Sequence, residues 1–205
     1  MSDDRLHWIF ETGDDAQLAA RYDAWAAEYD RDHDDWGWVG PVKAVDRLLA
    51  HANPVAILDA GCGTGGVGRA LRAAAWAGEL IGVDLSSGML ARAEAGGWYG
   101  ELVHASLTAL PLGDGSVDAY VATGVYTHGH VGPEGFAEAL RVVRPGGAVV
   151  LTVRAEIWDA LEPEATRLEV AGEWELVERT EPASFHPGKG DQDDKPQSVV
   201  TWRRR

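Results

Sequence analysis

Between Asp15 and Asp30 the apolar residues Leu18, Ala19, Tyr22, Trp25, Ala26 and Tyr29 recur at three- and four-residue intervals, which places them on one face of a helix. The stretch before this, up to about Thr12, is polar and expected to fray, although Trp8, Ile9 and Phe10 could dock. Asp34 to Pro41 reads as a loop, and Val42, Val45, Leu48 and Leu49 resume the helical spacing up to the break at Asn53-Pro54. The period then changes. Val55-Ala56-Ile57-Leu58 is a continuous apolar run ending in a glycine cluster, the pattern of a strand buried on both faces. Gly66 to Ala75 is helical, Leu80-Ile81-Gly82-Val83 is a second buried strand, and Ser87 to Ala95 is a helix opening with a serine cap. Leu102-Val103 lies in a weaker strand, Val117 to Thr123 is another strand, and Pro133 to Val143 another helix. Ala148 to Val153 forms a strand after the turn Arg144-Pro145-Gly146-Gly147, and Ile157 to Ala171 a helix.

Strands that alternate with helices predict an α/β fold: a doubly wound, mostly parallel sheet with helices on both faces. After Trp174 the pattern differs, because Trp174 to Glu181 and Ser198 to Trp202 are strand segments with no clear helix between them. The intervening Glu181 to Pro196 is rich in proline, glycine and charge and reads as a loop. Two strands joined this way predict an antiparallel pair at the sheet edge. With no internal repeat and no linker, residues 1–205 read as one domain, with a helical segment over 1–35, a core over 54–153 and edge strands within 154–205.

The chain's net charge of −15 narrows its partners. Up to Asp35 eleven acids face only Arg5, Arg21 and Arg31, a balance that repels a phosphate backbone and argues against nucleic acid. The basic Arg203-Arg204-Arg205 reads as a solvated end. No run approaches the ~20 apolar residues of a membrane span, the N-terminus lacks a secretory pattern, and a single cysteine suits a reducing compartment. No membrane partner is expected, and the cytoplasm is the expected location.

The candidate chemistry lies where the first strand ends, at Leu58-Asp59-Ala60-Gly61-Cys62-Gly63-Thr64-Gly65. In a parallel sheet, ligands bind at the carboxyl ends of the strands where the strand order reverses. Glycines at Gly61, Gly63 and Gly65 permit a sharp turn and close backbone approach to a ligand. Twenty-five residues after Asp59, the second strand ends at Asp84, whose carboxylate can accept both hydroxyls of a ribose. Gly61, Gly63 and Gly66 also satisfy G-x-G-x-x-G, so an NAD(P)-dependent Rossmann oxidoreductase is a competing reading. Asp59, two residues before the first glycine, is unwelcome beside a pyrophosphate and suits a ligand carrying an ammonium and a sulfonium.

These residues, together with Gly82-Val83-Asp84-Leu85-Ser86, Met89-Leu90, Val117-Asp118-Ala119-Tyr120 and Pro145-Gly146-Gly147, resemble the class I S-adenosylmethionine-dependent methyltransferases, a Rossmann-like fold. The segment Arg21-Tyr22-Asp23-Ala24-Trp25-Ala26-Ala27-Glu28-Tyr29-Asp30 is similar to the opening of the methyltransferase-like proteins named for the Williams–Beuren region. The likeness fades after about Arg154. It implies S-adenosyl-L-methionine as cofactor, with Asp59, Ala60, Gly61 and Gly63 toward its amino-acid end, Asp84 on the ribose, and Leu85 and Met89 flanking the adenine. Ser106 and Leu107 stand where many family members carry an acid for the adenine amino group, and Thr123 and Gly124 would lie beside the methyl donor.

Methyl transfer needs positioning and water exclusion more than acid–base chemistry. Candidate catalytic groups cluster in Gly124-Val125-Tyr126-Thr127-His128-Gly129-His130, with His128 as the first choice of base and Tyr126 beside it. Tyr22, Trp25 and Tyr29 form either a core stripe or the inner face of a lid over the cofactor, ordered by ligand. Cys62 lacks a partner base, and the histidines lack metal-ligand spacing, so no metal is expected. The expected reaction is methylation of a small molecule (EC 2.1.1.-), with a protein substrate or a non-catalytic cofactor-binding module as alternatives.

Overall fold

The computed structural model describes residues 14–127, 129–189 and 195–205. The expected fraying up to Thr12 and the first-choice base His128 therefore lie outside the described residues. Helices α1 (Asp15–Trp36) and α2 (Gly40–His51) precede β1 (Ala56–Ala60), α3 (Gly66–Ala73), β2 (Glu79–Asp84), α4 (Ser87–Gly96), β3 (Glu101–His104) and β4 (Val117–Ala122). Then follow α5 (Gly135–Val142), β5 (Val143–Arg154), α6 (Ala155–Val170), β6 (Trp174–Arg179) and β7 (Gln197–Arg204). The seven strands form one sheet in the order β3-β2-β1-β4-β5-β7-β6. β1 to β5 run parallel to one another, while β7 is antiparallel to both β5 and β6. The expected antiparallel pair is present at that edge, with β7 inserted between β5 and the outermost β6.

Alternation along the central strands divides the core between the two faces. Ile57, Ala119, Val121, Ala148 and Val150 pack with Val45 and Leu48 of α2 and Leu71 of α3. Leu58, Tyr120, Ala122, Val149 and Leu151 point the other way, toward Phe136 of α5 and Ile157 and Leu161 of α6. The late strands are anchored by aromatic packing: Trp174 of β6 stacks on Trp202 of β7 with centroids 4.7 Å apart, and Phe136 meets Trp174 edge-on at 5.1 Å.

Two boundaries differ from expectation. The first helix does not end near Asp30 but continues to Trp36, where Gly37 adopts φ +65° and its N–H caps the carbonyls of Asp34 and His33. Trp36 explains the extension, because it is buried against Trp25 and Leu18 on the same helix. The Arg144–Gly147 turn is not a separate connection but a bulge inside β5. Val143 pairs with Val117 and Ala148 with Ala119, so six residues of β5 span three of β4, and Gly146 at φ +81° absorbs the excess. No helix among the described residues is long and apolar enough to cross a membrane.

Candidate functional site

The strand order reverses between β1 and β4, and the glycine turn lies at that point. Gly61 N–H and Cys62 N–H both donate to the Val83 carbonyl, at 2.8 and 3.0 Å, which ties the turn to β2. Gly61, Gly63 and Gly65 all hold φ between +54° and +100°, a region costly to residues with a Cβ. A Cβ at Gly61 would stand 2.4 Å from Val125 Cγ2, and one at Gly65 would strike Trp98 at 2.8 Å; at Gly63 it would meet nothing within 4 Å. Gly63 is therefore where the turn faces open space.

That space is a cavity of about 600 Å³, counted to its open mouth. Of the residues singled out from sequence, Tyr22, Tyr29, Gly61, Gly63, Asp84, Leu85, Met89, Leu107, Thr123 and Gly124 line it. Asp84 Oδ2 accepts from Gly63 N–H and Oδ1 from Ser86 N–H, both at 2.8 Å. Burial raises its pKa, and the two backbone donors oppose the rise. Each oxygen retains a further lone pair for a hydroxyl donor. The apolar side chains of Leu18, Leu85, Met89, Leu107 and Val131 complete a wall suited to a planar base. A fixed diol acceptor, an apolar slot and a glycine turn open to the cavity fit a nucleoside cofactor.

Other expected positions are placed differently. Asp59 and Ala60 are fully buried beneath the turn and do not line the cavity. Asp59 Oδ2 accepts the Tyr99 hydroxyl at 2.6 Å, while Oδ1 has no partner within the protein. Burial lifts the Asp59 pKa to about 7, against the opposing Tyr99 hydrogen bond. Ser106 is outside the cavity, its hydroxyl 3.2 Å from Asp15 Oδ2 and 3.0 Å from Thr108 Oγ1, and Leu107 rather than Ser106 borders the cavity there. Trp25 lines a neighbouring cavity, and its Nε1–H donates to Asp32 at 2.8 Å. Tyr126 reaches that second cavity too, but its hydroxyl is buried 3.2 Å from that of Tyr120, and burial pushes its pKa well up, which disqualifies it as a base. Burial likewise raises the Cys62 thiol, so no thiolate forms there.

The lid reading acquires a structural basis in side chains that the aromatic stripe concealed. α1 lies across the carboxyl ends of the first four strands and bonds to the segment after each. Asp30 Oδ1 accepts from the Thr64 hydroxyl after β1, at 2.6 Å. Asp23 Oδ1 accepts from the Ser86 hydroxyl and Gly88 N–H after β2, at 2.6 and 2.7 Å. Asp15 meets Ser106 after β3, and Tyr22 Oη lies 2.7 Å from His130 Nε2 after β4. Asp15, Tyr22, Asp23 and Asp30 are spaced by seven and eight residues and so share one helix face. That spacing was visible in the sequence, within the acidic excess of the opening segment. His130, which stood behind His128, is the histidine that the structure places on the cofactor cavity.

The second cavity, about 550 Å³, shares Tyr22, Tyr29 and Gly124 with the first. Thr152 Oγ1 accepts Gly124 N–H at 2.9 Å and fixes the loop between the two. Arg154, His186 and Gln197 on its far side drew no attention in the sequence, because they lie beyond the segment where the family motifs are legible.

A methyltransferase domain family profile matches residues 58–151. Human methyltransferase-like protein 27 is 40% identical over 172 residues, covering 78% of this chain and 69% of that one. The malonyl-[acyl-carrier protein] O-methyltransferase of Pseudescherichia vulneris is 38% identical over 117 residues, covering 55% of this chain but only 45% of that protein. Among solved structures, a SAM-dependent methyltransferase of Thermotoga maritima superposes with a TM-score of 0.68 at 17% identity, covering 90% of this chain and 98% of its own.

Proposed function

The chain belongs to the class I S-adenosylmethionine-dependent methyltransferases, and from that premise we propose that it methylates a small molecule held in the second cavity. The observation that carries the reading is the shared wall: Tyr22, Tyr29 and Gly124 border both the cofactor cavity and an adjoining pocket. When bound, S-adenosylmethionine supplies an electrophilic methyl on a sulfonium and departs as the neutral thioether. Asp84 would hold the ribose, the Leu85, Met89 and Leu107 side chains the adenine, and the turn at Gly61 and Gly63 would admit the amino-acid end against the backbone.

The chain's own residues then position and seal. α1 closes the strand ends through Asp15, Tyr22, Asp23 and Asp30, which excludes water from the approach line. Burial, then the neighbouring Tyr29, keeps the Tyr22 phenol protonated. An acceptor that carries a proton on its nucleophilic atom can release it along the Tyr22–His130 hydrogen bond to the imidazole. An acceptor that is already anionic needs no base.

The test is transfer of labelled methyl from S-adenosylmethionine into fractionated cell extract. Label in the small-molecule fraction, lowered in Tyr22→Phe at saturating S-adenosylmethionine, is the expected result. Label in protein alone would favour a macromolecular acceptor. Absence of S-adenosylhomocysteine binding, with tight NADH binding, would overturn the cofactor assignment and restore the oxidoreductase reading.

A further inference from the structure

In a chain with 33 acidic residues, no aspartate or glutamate is among the described residues lining the second cavity, and the one fixed charge there is Arg154. The rest of the lining is aromatic and imidazole rings with a few neutral polar groups: Trp38 and His186 stack at 4.5 Å, and Tyr29 and His33 at 3.9 Å. Among the described residues of this lining the fixed charge is therefore positive, against a whole-chain charge of −15.

From this we infer that the methyl acceptor is a small planar organic acid, its carboxylate held by Arg154 and its ring packed among the aromatic side chains. The inference rests on the second cavity being the acceptor site. Arg154 ends β5 two residues after Thr152, on the same strand face, and Thr152 positions Gly124 at the boundary with the cofactor cavity. An acid anchored on Arg154 thus extends toward the methyl donor's side of the pocket. The guanidinium offers five donors in a fork that matches a carboxylate. Its ion pair with Glu156 is long, 3.6 Å from Nη1 to Oε1, and Glu156 faces solvent.

The acceptor class also fits the electrons. The acceptor's lone pair forms the new bond to the methyl carbon, the carbon–sulfur bond breaks, and its electron pair stays on sulfur. If a ring hydroxyl is the nucleophile, its proton leaves along Tyr22 and His130 as above.

The test is calorimetric titration of the full chain, saturated with S-adenosylhomocysteine, with benzoate, salicylate, 4-hydroxybenzoate and indole-3-acetate, each against its neutral amide. The expected result is that at least one acid binds tenfold or more tightly than its amide, that Arg154→Gln abolishes this preference, and that Arg154→Lys retains part of it. Equal binding of every acid and its amide, binding of none of the acids, or an undiminished preference in Arg154→Gln would overturn the inference. S-adenosylhomocysteine affinity, measured in the same samples, reports folding of each variant. Its loss in the wild type would defeat the cofactor assignment itself, whereas its retention with no acid preference would defeat only this one.

Discussion

Asp59 is a carboxyl group with no exposure to solvent, one hydrogen bond from Tyr99 and one oxygen without a protein partner. Its pKa stands near 3.8 in an open chain and about 7 in the fold. Below the lower value both states are protonated and the group is neutral to stability. Between the two values the unfolded chain ionises while the folded chain keeps its proton, so stability falls as pH rises, by ~1.4 kcal/mol per pH unit. Over some three units the loss comes to ~4 kcal/mol, complete by about pH 8. Asp59→Asn removes the titration while leaving a side-chain oxygen to accept from Tyr99. Its amide costs a constant ~1–3 kcal/mol if unpaired, which does not vary with pH. Urea unfolding of wild type and variant without cofactor, at pH 5, 6, 7 and 8, isolates the group as the difference in slope. Asp84, also raised by burial, interacts with Asp59 by charge, so the difference in slope reports Asp59 together with that coupling. The wild type should lose several kcal/mol more than the variant between pH 5 and 8, and parallel profiles would refute the argument. A cationic ligand in the adjoining cavity favours the ionised carboxylate, so saturating S-adenosylmethionine should flatten the wild-type slope.

Asp23→Ala removes two hydrogen bonds to a carboxylate that also sits at the α4 N-terminus; because Asp23 is exposed, their loss should cost only ~1–2 kcal/mol of lid docking. Hydrogen exchange should then show α1 protection falling by roughly five- to thirtyfold with little change in β1 and β4, and unaltered α1 protection would count against α1 as a lid. Gly61→Ala combines a left-handed φ with a Cβ 2.4 Å from Val125, and should lower stability by ~2–5 kcal/mol in thermal unfolding. Gly63→Ala, whose Cβ meets no protein atom, should cost only ~1–2 kcal/mol of stability yet weaken S-adenosylhomocysteine binding, and equal stability losses in the two variants would contradict the geometry.

The elements that two-sided burial specifies were legible almost to the residue. Ile57-Leu58 and Tyr120-Val121 read as strands because both faces are covered, and the sheet shows the same division. Asp84 was legible from its place at the end of the second strand, and Leu85, Met89 and Leu107 from the family resemblance; all four line the cavity. Harder to read was anything that depends on how distant loops meet. Asp59 was expected to face the cofactor because it adjoins the glycines, yet a strand alternates its side chains and sends this one beneath the turn toward Tyr99. Ser106 was assigned from its position after β3, but its hydroxyl is taken by Thr108 and by Asp15 of α1. The lid acids were hidden by their own abundance, since a solvated acidic face and a docked one have the same composition. Arg154 belonged to a segment with no motif, and its importance emerges only when β5, β7 and α1 enclose the same space.

The place of β7 has a kinetic consequence. β6 pairs with no strand but β7, which follows it by about twenty residues and separates it from β5. During synthesis Trp174 is therefore made before Trp202, the ring on which it stacks. The edge of β5 stays open over the same interval, with Val149 and Leu151 beside it. A nascent chain arrested in the loop before Gln197 would hold a half-sheet with an unpaired, strongly apolar margin, the species on which a chaperone or a like chain is most apt to act. Closure of this margin of the sheet waits for β7.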